Sequence, residues 1–169
     1  MKKNILIFFT LSLFSVFSFS QDEPKKKFEK AENYFLDSNY TQALPLYLSL
    51  LESDKENANL NFRAGMCYLS SPLEYKKSII YLEKAATDVS VKYKEGNFKE
   101  RHAPLASILY LGDAYHLNYR FDEAIASYQK FLTYIDESDK PTIKMLNRKI
   151  AICNNAKDLL LSPVELQVQ

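Results

Sequence analysis

The 169-residue chain carries 22 basic and 21 acidic residues, a net charge of +1 at pH 7, so no excess of cations draws it to nucleic acid. With only three glycines and two cysteines it lacks the material for a glycine-rich phosphate cradle or a disulfide-stapled scaffold. Hydrophobic residues make up 47% of the chain and aromatics 14%, enough at this length to bury one continuous core.

Lys2 and Lys3 precede an apolar run from Ile5 to Phe19, and Ser18-Phe19-Ser20 places small residues where a signal peptidase cuts. The run is short for a bilayer span and is diluted by Thr10, Ser12, Ser15 and Ser18. Residues 1–20 therefore read as a secretory signal peptide cleaved before Gln21. No cysteine follows the run to carry a lipid anchor, and no membrane span is expected after signal removal. Loss of Lys2 and Lys3 leaves 20 of the 22 basic residues against 21 acidic ones.

The rest of the chain predicts seven helices. The first covers about Pro24 to Asp37, and the turn Ser38-Asn39-Tyr40 leads into a second over about Thr41 to Ser53. A third runs from about Asn57 to Leu69. The fourth opens at Ser71-Pro72-Leu73-Glu74, where serine caps, proline takes the first helical position and glutamate completes a capping box. A fifth begins near Pro104, and a sixth follows the turn Asn118-Tyr119-Arg120. The last runs from Pro141 to Leu161. Its residues Ile143, Leu146, Ile150, Cys153, Ala156 and Leu160 make a single apolar stripe, suited to closing the open end of the preceding helix pair.

Three of these helices share a local pattern. Lys30-Ala31-Glu32-Asn33-Tyr34, Ala64-Gly65-Met66-Cys67-Tyr68 and Leu111-Gly112-Asp113-Ala114-Tyr115 each set a small residue three before a tyrosine. Ala31 to Gly65 and Tyr34 to Tyr68 are both 34 residues. The following helices repeat too: Ala43, Tyr47 and Leu50; Ser78, Leu82 and Ala85; Ala124, Tyr128 and Phe131. Gly65 to Gly112 spans 47 residues, with one surplus residue in the turn after Tyr68 and twelve after Ala85. The pattern resembles the tetratricopeptide (TPR) repeat. That resemblance implies an all-α fold, an α-solenoid of three TPR helix pairs plus a C-terminal capping helix. The small residue would sit where the two helices of a pair cross, the alanine of the second helix would take the opposing contact, and the aromatic after it would fill the gap between repeats. Lys55 and Asp136 stand where the repeat usually ends in proline, and the chain has no tryptophan.

Two segments fall outside the repeat. In the insertion Asp88 to Ala103, Val89, Val91 and Tyr93 alternate with Ser90, Lys92 and Lys94 before a Gly96-Asn97 turn. It reads either as a long connection whose Val and Tyr side chains pack on the helices while its lysines stay solvated, or as a basic, aromatic finger for a partner. The tail, residues 162–169, alternates as Val164-Glu165-Leu166-Gln167-Val168-Gln169, a strand pattern expected to lead into a further domain and to stay loosely held in this chain.

No catalytic set emerges. His102 and His116 lack the spacing of a helical zinc pair, so no metal ligands are assigned. Cys67 and Cys153 fall on core faces and read as buried, unpaired thiols. The chain is expected to be no enzyme, with no cofactor and no small-molecule substrate.

A narrower resemblance rests on two strings. They are Tyr93-Lys94-Glu95-Gly96-Asn97-Phe98-Lys99-Glu100-Arg101 through Tyr110-Leu111-Gly112-Asp113-Ala114-Tyr115-His116-Leu117-Asn118-Tyr119-Arg120-Phe121-Asp122-Glu123-Ala124, and Ile152-Cys153-Asn154-Asn155-Ala156-Lys157-Asp158-Leu159-Leu160 before Ser162-Pro163-Val164. Both are similar to the amino-terminal TPR region of Bacteroidota envelope proteins, in which a β-propeller and an OmpA-like peptidoglycan-binding domain follow. The resemblance implies a periplasmic or outer-membrane-associated scaffold for protein–protein interaction, in some members within type IX secretion and gliding. Propeller and OmpA-like domain are absent from this chain, so peptidoglycan binding does not carry over. A purely structural module bracing a propeller, with no ligand of its own, is the alternative.

TPR proteins line their groove with the first helix of each pair. On that model the partner-binding residues are Phe28, Glu32 and Phe35, then Phe62 and Met66, then Leu109, Asp113 and His116. Their mix of apolar and charged groups suits an amphipathic segment of a periplasmic protein partner. The basic and asparagine residues of a chaperone-tail clamp are not reproduced.

Overall fold

Helical periodicity and mostly short connectors fold the helices back on one another, with a long connection between residues 85 and 106. A computed structural model describes residues 22–161; the signal-peptide reading at 1–20 and the alternating tail at 162–169 lie outside the described residues. Helix α1 spans 22–36, followed by α2 (Tyr40–Leu51), α3 (Ala58–Leu69), α4 (Ser78–Ala85), α5 (Ala106–Leu117), α6 (Phe121–Leu132) and α7 (Lys140–Leu161). Two-residue strands β1 (Val89–Ser90) and β2 (Ala103–Pro104) are the only sheet among the described residues. From α2 to α7 each helix packs on the next in the chain.

The turns after α1 and α5 have the same backbone. Ser38 (φ 58°) and Tyr119 (φ 61°), each seven residues after its small position, are left-handed. Asn39 and Arg120 N–H groups then reach back to the carbonyls of Tyr34 and Tyr115 at 2.8 and 3.0 Å, closing both helices in a Schellman motif. The longer turn after α3 has no such residue, consistent with its extra position. Asn57 caps α3, its side-chain oxygen accepting the Leu60 N–H at 3.1 Å.

The small positions are crossing points. A Cβ added to Gly65 would stand 2.7 Å from Leu82, and one on Gly112 would stand 2.5 Å from the Tyr128 ring. The residue pressing on each glycine is thus the large one of the paired helix, Leu82 or Tyr128, not the small one four before it, Ser78 or Ala124. Tyr128 and Leu82 fill the crossing within a pair, although Ser78 and Ala124 on the same helices are fully buried. The core forms two clusters that meet at α3. Leu60, Ala64 and Cys67 pack toward α1 and α2, whereas Ala58 and Phe62 pack toward α4–α7.

Two elements depart from expectation. Helix α4 begins at Ser78, not at Ser71. The Ser71 hydroxyl does accept the Glu74 N–H at 3.2 Å, but the Glu74 carboxylate pairs with Lys77 instead of reaching back. Without the reciprocal bond the capping box is incomplete, and Tyr75–Lys77 form a 3-10 turn first. In the insertion the alternating run gives only Val89–Ser90, paired in parallel with Ala103–Pro104, and Val91 is 75% exposed. The stripe on α7 is covered through Ala156, with Leu146 and Cys153 fully buried, whereas Leu159, Leu160 and Leu161 are exposed.

Candidate functional site

The face expected to form a groove is divided lengthwise, and the insertion makes the division. Its strands join its two ends, and the chain between them folds over the amino-terminal halves of α1 and α3. Phe98 lies 5.8 Å from the Phe28 ring, and the Tyr93 hydroxyl donates to Asn59 Oδ1 at 2.7 Å. The Arg101 carbonyl accepts the Asn59 N–H at 3.0 Å, meeting a donor that the first turn of α3 leaves unpaired. The Arg101 guanidinium holds both oxygens of Asp54, at 2.5 and 2.8 Å. Lys92, Lys94 and Lys99 stay exposed while Tyr93 and Phe98 are half-buried, so this segment behaves as a packed connection for most of its length.

Burial changes the standing of three groove residues. Phe28, Glu32 and Phe62 are all buried and present no open surface. Glu32 instead accepts from Arg63 Nη2 at 2.7 Å and from the Tyr47 hydroxyl at 2.5 Å, linking α1, α2 and α3. Arg63 is 1% exposed, with its guanidinium 4.5 Å from the Phe35 ring centre and Glu95 of the insertion at 3.5 Å. Burial, then the bond to Glu32, holds the Tyr47 phenol far above its ordinary pKa. Phe35 is half-buried against Tyr40 and Tyr47, and Leu109 packs against the core.

The carboxy-terminal halves of α3 and α5 stay open. Met66, Asp113 and His116 come together there in a cleft of about 430 Å³, closed on the far side by Lys149 and Ile152 of α7. Leu69, Tyr110 and Leu117 supply most of its remaining apolar wall. At its floor Asp113 accepts from the Tyr128 hydroxyl and from Lys149 Nζ, both at 2.7 Å. His116 Nδ1 lies 3.1 Å from Cys153 Sγ. Burial pushes the Cys153 thiol up, and the residue is fully covered, so the pair offers no accessible thiolate. Cys67 is likewise free and buried, its thiol raised to about 12 by burial. Among the described residues no group of three or more His, Cys, Asp and Glu is placed to hold a metal ion, and no helix is long and apolar enough to cross a membrane. The cleft is an open, mostly apolar recess with one internally neutralised ion pair at its floor.

Sequence reasoning missed Arg63, Lys149 and Ile152. Arg63 sits between groove and core positions of α3, where its type alone suggests a solvated charge. The apolar stripe of α7 predicts a cap alone, yet a helix that closes a stack also presents its flank to the neighbouring groove, here through Lys149 and Ile152.

His102, at the neck of the insertion, pairs with Asp88 at 2.7 Å, and that hydrogen bond raises its pKa above the ordinary 6.5. The pair therefore contributes fully below the ordinary value and fades as pH rises through the raised one. An NMR titration of the His102 ring should give a midpoint above 6.5 in the native chain and a return toward it in Asp88→Asn. An unchanged midpoint in the variant would show that the contact does not persist in solution.

No protein-family model and no curated protein matches the chain. Among solved structures, a crystal structure of MamA protein aligns at 19% identity over 82% of this chain and 85% of its own, with a TM-score of 0.39.

Proposed function

We propose that this chain is an exported TPR scaffold that holds a protein partner in the cell envelope through the cleft between α3, α5 and α7. The observation that carries the reading is the division of the groove face: half is covered by the insertion, which leaves only a recess of about 360 Å³ beside Phe28 and Phe98, and half stays open with apolar walls around a neutralised ion pair. The 34-residue period and the glycine crossings support TPR pairs with α7 as their cap. The charged and apolar character of residues 1–20 supports export, and the strings around Gly112 and Asn154 support kinship with Bacteroidota envelope proteins of the type IX secretion or OmpA-like assemblies. A second reading, a brace for an adjacent β-propeller, draws on the exposed Leu159, Leu160 and Leu161 at the end of α7.

A pull-down from envelope extract tests the first reading. Leu117 and Ile152 are 48% and 44% exposed, so Leu117→Arg with Ile152→Arg alters the cleft wall without reaching the core. Proteins retained by the native chain and by a Val91→Arg control should be lost from the cleft variant, with helicity unchanged. Equal retention by all three would remove the cleft from consideration.

A further inference from the structure

We propose that the chain supplies its own occupant for this cleft: residues 162–169 double back from the end of α7 and lay Leu166 and Val168 along Leu159 and Ile152. Helix α7 spans 22 residues where α5 and α6 span 12 each, and its last turn stands clear of the stack with Leu159, Leu160 and Leu161 exposed. Ile152 forms part of the cleft wall and is itself exposed. Leu159 follows seven residues on, two turns along the same side of the helix, whereas Leu146 and Cys153 face the core. An apolar strip thus leaves the cleft at Ile152 and follows α7 to its end.

After Leu161 the chain reads Ser162-Pro163-Val164-Glu165-Leu166-Gln167-Val168-Gln169. Proline cannot extend the helix, and serine followed by proline opens a type I turn, so the sequence marks a reversal here. Beyond it the alternation sets Val164, Leu166 and Val168 on one side and Glu165, Gln167 and Gln169 on the other. Ser162 to Val168 can reach up to about 24 Å when extended. Leu161 to Ile152 is about 14 Å of helix, so the segment can turn and still bring Val168 to the cleft wall. Charge agrees with this occupant. Asp113 and Lys149 neutralise each other at the cleft floor, and the one charge of the segment, Glu165, belongs to its polar side. Three apolar side chains on an open strip make a shallow, reversible contact, in keeping with a loosely held tail. A partner segment entering the cleft displaces it, which makes the tail a built-in competitor. That consequence rests on the cleft being the partner site; the docking itself does not.

Photocrosslinking within the purified chain from Gln21 to Gln169 supplies the test. A diazirine analogue of leucine replaces Val168, and the protein is kept dilute so that copies seldom meet. Illumination should join the tail to its own molecule, and fragment masses should place the adducts at Leu117, Ile152 or Leu159. Ile152→Asp with Leu159→Asp, both exposed positions, should abolish these adducts while helicity stays unchanged. The same analogue at Gln167, on the polar side, should give few. Adducts scattered over the surface, adducts that persist in the Asp variant, or none at all overturn the proposal. So does crosslinking between two copies only, which would assign the strip to a second molecule of this chain. No partner protein takes part, so a negative result here leaves the partner reading to the pull-down. A failed pull-down, in turn, leaves the docked tail standing.

Discussion

Arg63→Met is expected to lower the free energy of unfolding by about 3–5 kcal/mol, the largest effect of any single change considered for this fold. The guanidinium is buried, and its removal leaves the Glu32 carboxylate in the core with the Tyr47 hydroxyl as its remaining bonded partner. Glu32→Met with Arg63→Met removes both charges together and should be much less damaging, because no lone charge stays buried. Urea denaturation of the two variants separates a pair that stabilises from one that is only costly to break. Similar losses in both would mean that the stacking of the Arg63 guanidinium on Phe35, lost in both variants, and not the buried charge pair sets the effect.

Gly112→Leu should cost about 1–3 kcal/mol by overpacking. Its Cβ alone meets the Tyr128 ring at 2.5 and 2.7 Å, and that ring is 1% exposed with little room to turn. Gln129→Leu, on the exposed side of α6, should stay within about 0.5 kcal/mol. The Gly112 change reaches the cleft too, since Tyr128 donates to Asp113 at its floor. Equal melting shifts for the two variants would contradict the crossing-point account of the small residues.

The helices were legible because their signals are local. Apolar residues spaced three or four apart and the turns at Ser38 and Tyr119 act within a few residues, and those boundaries fall within a residue or two of the observed ones. The start of α4 was not legible, because a capping box needs two reciprocal bonds and Lys77 takes the glutamate that would make the second. The division of the groove was hidden for a different reason. Nothing in the string Tyr93 to Arg101 states that its tyrosine will reach Asn59 or that its phenylalanine will reach Phe28, 34 residues away in one case and farther in the other. Position in a repeat marks which way a side chain points, but burial depends on what another segment lays across it. Met66, Asp113 and His116 line an open cleft, while Phe28 lies under Phe98, Glu32 is taken up by Arg63 and Tyr47, and Phe62 is buried beside Tyr110, though all are equally well placed by register.

Site-specific photocrosslinking in cells tests the central claim most directly. A photoreactive residue is placed singly at Leu117 or Ile152 in the open cleft, and at Val91 on the insertion or Leu73 on the turn before α4, all four exposed. The cleft positions should yield a discrete covalent adduct with a protein partner, and Val91 and Leu73 should not. Adducts from Val91 with none from Leu117 or Ile152 would move the interaction surface to the insertion and contradict the account.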